Sequence, residues 1–92
     1  MYKLKYTKSF EKDFSLCKKR GYDMTALLAI FKLLEEKGTL PATYKPHKLE
    51  GNYKNRWECH IKPDWLLIWD KDRTHLTMIL LRTGTHSDLF KK

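Results

Sequence analysis

The run Trp65-Leu66-Leu67-Ile68-Trp69 restricts the fold more than any other segment of this chain. It has no polar member in either parity, so a strand built from it is covered on both faces, as the central strand of a layered sheet is. It is far below the roughly 18 apolar residues a membrane helix needs. Around it the pattern has period two. Arg56 to Ile61 puts Trp57, Cys59 and Ile61 on one face and Arg56, Glu58 and His60 on the other. Pro63-Asp64 breaks that strand, Asp70 to Arg73 reads as a polar hairpin, and His75 to Arg82 reads as a further strand. His47-Lys48-Leu49-Glu50 is a short strand candidate followed by a Gly51-Asn52 turn. Thr83-Gly84-Thr85 turns the chain into a short ordered tail, His86 to Phe90.

The first half has a different period. Tyr2 to Tyr6 alternates as a strand with one wet face. Thr7 or Ser9 then caps a helix whose Phe10, Phe14 and Cys17 share one stripe, with Lys18, Lys19 and Arg20 in its last turn and Gly21 ending it. Asp23 caps a second helix with Met24, Leu27, Leu28, Phe31 and Leu34 as its apolar positions, stopped by Gly38 and Pro41. The order predicts an α+β domain of two layers spanning residues 1–92, strand–two helices–four antiparallel strands. A helical hairpin covers one sheet face and leaves the other partly free.

Charge narrows the partners. A net charge of +8 on 92 residues suits a polyanion: nucleic acid, an anionic surface or an acidic protein. Met1 to Tyr6 alternates charged and apolar groups, with no continuous hydrophobic segment, so the cytoplasm is the expected location and no membrane is expected as partner. Cys17 and Cys59 lack metal-ligand spacing and are expected as reduced, half-buried thiols. No P-loop or GxGxxG occurs.

His47, His60 and His86 fall near strand ends or turns, with Asp64 and Arg82 close by in sequence, while His75 beside the hairpin reads as a bystander. Cleaving RNA by 2′-OH attack needs a base for that hydroxyl, an acid for the departing 5′-oxygen and a cation for the charged phosphorus centre. Two or three histidines, a carboxylate and an arginine supply all of these. The histidines have no HxxxH-type spacing, so neither a metal nor another cofactor is expected. Trp65 and Phe90 flank the histidine-rich segments as stacking rings for unpaired bases, whereas Trp57 and Trp69 read as core.

Three segments, Tyr44-Lys45-Pro46-His47-Lys48-Leu49-Glu50-Gly51, His60-Ile61-Lys62-Pro63-Asp64-Trp65-Leu66-Leu67-Ile68 and Arg82-Thr83-Gly84-Thr85-His86-Ser87-Asp88-Leu89-Phe90, resemble in this order the RelE/ParE superfamily of bacterial type II toxins. Within it they are similar to the YafQ-like branch, over nearly the whole chain. The resemblance implies a RelE-like fold with the first strand beside the last. It also implies a metal-independent endoribonuclease, an mRNA interferase acting in the ribosomal A site and silenced by a small antitoxin. By the same resemblance His86 matches the general acid, His47 and His60 further active-site histidines, Asp64 the carboxylate and Arg82 the transition-state cation. Trp65 and Phe90 match residues lining the site. Lys54, Arg56, Lys62 and Lys91 are the basic residues expected to contact RNA. The general base stays open among Asp64, His60 and His47. Two rival readings keep the fold without the cleavage: a topoisomerase-poisoning member, and an inactive RNA- or ribosome-binding module.

Overall fold

The computed structural model describes residues 1–51 and 56–90. Its elements are β1 (Lys3–Tyr6), α1 (Lys8–Lys19), α2 (Met24–Lys37), a 3-10 turn (Ala42–Tyr44), β2 (His47–Lys48), β3 (Trp57–Lys62), β4 (Trp65–Asp72), β5 (Thr77–Gly84) and α3 (His86–Leu89). Among the described residues the strands form one sheet in the order β1-β5-β4-β3-β2. β1 runs parallel to β5, with Lys3 opposite Thr77 and Tyr6 opposite Leu80, and the other pairs are antiparallel. The doubly apolar segment is thus the central strand, with its five residues Trp65 to Trp69 all buried.

Local chemistry fixes the helices. Thr7 is the N-cap of α1: its hydroxyl oxygen accepts from Phe10 N at 3.1 Å, and the hydroxyl donates to Leu80 O at 2.9 Å, so the cap also ties the helix to β5. Asp23 caps α2 by accepting from Thr25 N at 3.1 Å. Gly38 closes α2 at φ 70°, a left-handed position where a Cβ would also run into the Tyr2 ring. Both helices cover the same sheet face, where Phe10, Cys17, Leu27, Ile30 and Leu34 meet Cys59, Leu67, Met78 and Leu80. The buried stripe of α2 is Leu27, Ile30, Phe31 and Leu34, which is the i, i+3, i+4, i+7 set. Leu28, expected in that stripe, lies about 100° from Leu27 around the axis and is 53% exposed.

The second half departs from expectation at two points. The segment from His47 to Glu50 pairs as a strand only at His47 and Lys48, although Leu49 N still donates to Arg56 O at 2.8 Å. The Gly51-Asn52 turn has its second residue outside the described residues. The polar stretch Asp70 to Asp72 is not a hairpin but the end of β4, paired with Ile79, Met78 and Thr77. The turn comes later because the Asp72 carboxylate accepts from Thr74 N at 3.0 Å and His75 N at 3.1 Å, a side-chain-closed turn that starts at Asp72 rather than Asp70. β5 is displaced accordingly and runs through Thr83 to Gly84.

The sheet face away from α1 and α2 carries its own small cluster, in which Leu66, Ile68 and Leu89 are buried with Leu49 and Leu81 packed against them. The tail therefore docks as α3 on the face expected to be partly free. Both cysteines are free, and they are fully rather than half buried. Among the described residues no helix is long and apolar enough to cross a membrane.

Candidate active site

Residues opposite each other in paired strands share a face of the sheet, so the register places the site. His47 lies opposite Glu58, Glu58 opposite Ile68 and Ile68 opposite Arg82, a row crossing β2, β3, β4 and β5. The next row runs from His60 through Leu66 to Gly84. Leu66 and Ile68 belong to the Leu89 cluster, so both rows lie on the face turned away from α1 and α2.

α3 brings the remaining groups to this face. A four-residue helix has no stability of its own. It is held by a capping box, in which Thr85 Oγ1 accepts from Asp88 N at 3.1 Å and Asp88 Oδ2 accepts from Thr85 N at 2.9 Å. Arg20, just past α1, grips the same carboxylate with Nη1 at 2.6 Å and Nη2 at 3.2 Å. Arg20 first, then the Thr85 N–H, holds the Asp88 carboxyl well below the usual carboxylate range. Gly84 makes room for this arrangement, since a Cβ there would lie 2.8 Å from Asp88 Oδ2.

The histidine rings then form an arc. Ring centroids are 6.3 Å apart for His47 and His60, 6.0 Å for His60 and His86, and 6.3 Å for His86 and Phe90. Asp64, in the β3–β4 turn, accepts from His86 N at 3.0 Å and pairs with His86 Nδ1 at 2.6 Å. These two bonds, the backbone one first, lower its carboxyl below the ordinary value. His60 Nδ1 is 3.3 Å from Pro63 O. His47 Nδ1 is 2.8 Å from Lys45 O and its Nε2 is 3.1 Å from Glu58 Oε1. The site is an open shelf, with the side chains of His47, His86 and Asp64 exposed by 46%, 55% and 66%. A shelf of that kind admits a polymer.

Arg82 ends its row tied to α1: Nε donates to Asp13 Oδ2 at 2.6 Å and Nη2 to Asp13 Oδ1 at 3.3 Å. Asp13 also accepts from Thr83 N at 3.1 Å, capping the edge of β5 beyond the end of β1. Phe90 is 39% exposed beside His86. Lys62 is exposed and lines a shallow cleft of about 320 Å³ with Asp64, Trp65, Tyr22, Asp23 and Thr85. Arg56 pairs with Asp70 at 3.6 Å. Lys54 and Lys91 lie outside the described residues. His75 is engaged with Asp72 at 2.9 Å, apart from the arc.

Trp65 requires a correction. Its ring is 3% exposed in the helix-side core, with the Tyr22 ring edge-on at 4.9 Å. Its Nε1–H donates to the buried Thr83 hydroxyl at 2.9 Å, and that hydroxyl donates to Leu66 O at 2.7 Å. Trp65 therefore borders the cleft beside Asp64 and Lys62 but is too buried to stack on a base, because the first residue of the doubly covered strand points toward α1 and α2.

Sequence reasoning missed Asp13, the Arg20–Asp88 grip and the part Glu58 plays. Glu58 had a signal, since the period-two pattern already set it on the face of His60. The other two are contacts across 69 and 68 positions, which no local pattern encodes. Among the described residues no group of three or more His, Cys, Asp or Glu side chains is arranged to hold a metal ion.

Comparison with known proteins gives one answer. The family described as the bacterial toxin of type II toxin-antitoxin system, YafQ, matches residues 2–91. The mRNA interferase toxin YafQ of Escherichia coli is 39% identical over 88 residues, covering 95% of this chain and 94% of its own length. YafQ in the crystal structure of the E. coli DinJ-YafQ complex is similar at a TM-score of 0.87 and 36% identity, covering 98% of this chain and 99% of that one. A metal-bound toxin from Helicobacter pylori is similar at a TM-score of 0.89 and 37% identity, covering 98% of this chain and 100% of that one. On a family match spanning nearly every residue and a fold shared over the same span, the chain belongs to the YafQ family of bacterial type II toxin–antitoxin toxins.

Proposed function

We propose that this toxin is an endoribonuclease, an mRNA interferase that cleaves mRNA in the ribosomal A site and is held in check by a small antitoxin. Its whole length of 92 residues serves as one catalytic domain working in the cytoplasm, where mRNA is translated. The names of its relatives support the class of activity and the partner, since E. coli YafQ is an mRNA interferase toxin and assembles with DinJ.

The observation that carries the chemistry is the pattern of hydrogen bonds on the histidine arc. A carbonyl oxygen only accepts, so the Pro63 carbonyl, 3.3 Å away, keeps the His60 proton on Nδ1 and leaves a lone pair on Nε2. His60 is then the base that takes the 2′-OH proton. Asp64 is pushed the wrong way for a base, with its carboxyl below the ordinary range. Its work is to accept from His86 Nδ1 at 2.6 Å, which orients the ring whose Nε2 serves as the acid.

The step balances. The 2′-oxygen bonds to phosphorus as its proton passes to His60 Nε2, the bond from phosphorus to the 5′-oxygen breaks, and His86 Nε2 gives that oxygen its proton. The products are a 2′,3′-cyclic phosphate and a 5′-hydroxyl. Arg82, oriented by Asp13, supplies positive charge to the pentacoordinate phosphorus. Phe90 stacks on an unpaired base, and Lys54, Arg56, Lys62 and Lys91 steer the RNA backbone.

The experiment is cleavage of end-labelled mRNA with and without ribosomes. The parent protein gives cyclic-phosphate ends, and His86→Gln slows cleavage by roughly 10²–10⁴-fold. A His86→Gln rate equal to the parent's would refute the assignment. Failure of the parent to cut would refute the activity.

A further inference from the structure

Among the described residues Glu58 is the one charged residue in the buried class, at 4% exposure. It sits in the middle of the site face, between His47 on β2 and Ile68 on β4. Its Oε1 lies 3.1 Å from His47 Nε2, while Oε2 has no hydrogen-bond partner among the described residues. An ionised carboxylate taken out of water needs a countercharge. His47 is the group in contact.

The other side of the His47 ring completes the argument. Lys45 adopts a left-handed backbone, φ 50°, after the 3-10 turn, and its carbonyl oxygen meets His47 Nδ1 at 2.8 Å. Both ring nitrogens therefore face oxygen acceptors. The carbonyl cannot donate, so Nδ1 carries a proton. Nε2 lies 3.1 Å from the buried carboxylate, and a proton on Nε2 supplies the countercharge that this carboxylate needs.

We propose that Glu58 is a positioning residue that holds His47 as a doubly protonated imidazolium, fixed between the Glu58 carboxylate and the Lys45 carbonyl. His47 thereby acts as a standing cation beside His60 and not as a proton acceptor. The consequence for catalysis rests on the endoribonuclease reading above; the ion pair itself does not. Positive charge next to the base stabilises the doubly charged phosphorane without exchanging a proton with it. His47 then complements Arg82 from the opposite end of the same row.

The test reads the ring nitrogens directly. Protein labelled with ¹⁵N-histidine is studied by long-range ¹H–¹⁵N correlation near neutral pH, with His47 assigned by the signals lost in His47→Gln. Both His47 nitrogens are expected at protonated positions in the parent. In Glu58→Gln one of them moves to the unprotonated position, while His75, paired with Asp72 elsewhere, is unchanged. In the mRNA cleavage assay Glu58→Gln lowers kcat by about 10–100-fold with little change in KM, as loss of a partner to a working histidine does.

A neutral His47 ring in the parent, a ring unaffected by Glu58→Gln, or parental cleavage by that variant each overturns the proposal. Should Glu58→Gln not fold, the parent spectrum still decides, because a neutral ring there is fatal and a doubly protonated one sustains the ion pair. A parent that cuts no RNA overturns the endoribonuclease reading instead, and the His47 spectrum judges the ion pair regardless.

Discussion

Replacing Asp88 by alanine isolates what keeps α3 in place. The change removes the acceptor of the Thr85 N–H, 2.9 Å away, and both arms of the Arg20 grip, but leaves the Cβ and the Leu89 packing. Losing a helix cap costs about 1–2 kcal/mol, roughly a 5–30-fold shift in a local opening equilibrium. The Arg20 pair is left out of that figure because its side chains are 34% and 24% exposed and solvent screens them.

Amide hydrogen exchange reads the outcome. The Leu89 and Phe90 amides, bonded to Thr85 O at 3.1 Å and His86 O at 2.8 Å, should exchange faster by that factor, while those of Met78 and Leu80 in the sheet hold their rates. The pH dependence has a definite sign. The folded Asp88 carboxyl is depressed, so its contribution is complete above the ordinary carboxylate value of roughly 4 and is lost only as pH falls through the lower folded value. The difference between parent and variant should therefore be full at about pH 5 and shrink only in stronger acid. Unchanged exchange at Leu89 and Phe90, or acceleration spread evenly over the sheet, would refute the reasoning.

Arg82→Lys keeps the charge but gives up the planar two-point hold on Asp13, so mRNA cleavage should fall at least tenfold, with Arg82→Ala losing about 10²–10³-fold; equal rates for all three would move the cation role elsewhere. Thr83→Val strips the buried hydroxyl that joins Trp65 Nε1 to Leu66 O, which should cost about 2 kcal/mol and lower the melting temperature by roughly 8–16 °C. An unchanged melting curve would contradict the burial argument. Burial pushes the Cys59 thiol up to about 12, so alkylation of Cys59 by iodoacetamide at neutral pH should track unfolding, and rapid labelling of the native protein would count against the packing described.

What was legible in the sequence follows from where the controlling forces are local. The Asp23 cap, the Gly38 stop and the two faces of β3 are set by neighbours within a few positions and each was readable, while the cap of α1 was readable as Thr7 or Ser9 and proves to be Thr7. Asp70 to Asp72 misled because polar residues at the end of a strand resemble a turn when the cross-strand partners are not in view. Leu28 misled because leucine alone does not say which side of a helix it occupies. At the site, the three histidines and Asp64 stood out by residue type, but Trp65 belonged to the core strand and its aromatic character pointed the wrong way. The Asp13–Arg82 and Arg20–Asp88 pairs join opposite ends of the sequence, and only the assembled sheet brings them together.

The parallel pairing of β1 with β5 has a consequence for the order of events during synthesis. Lys3 to Tyr6 find their partners only in Thr77 to Leu80, so the first strand made waits for nearly the whole chain before its hydrogen bonds can form. Closing so long a loop is entropically expensive and slow compared with forming helices, which places sheet closure late in folding. Arg82, His86 and Phe90 emerge after that closing strand has begun. A ribosome halted before them releases a fragment whose first strand has no partner and which lacks Arg82, His86 and Phe90 together.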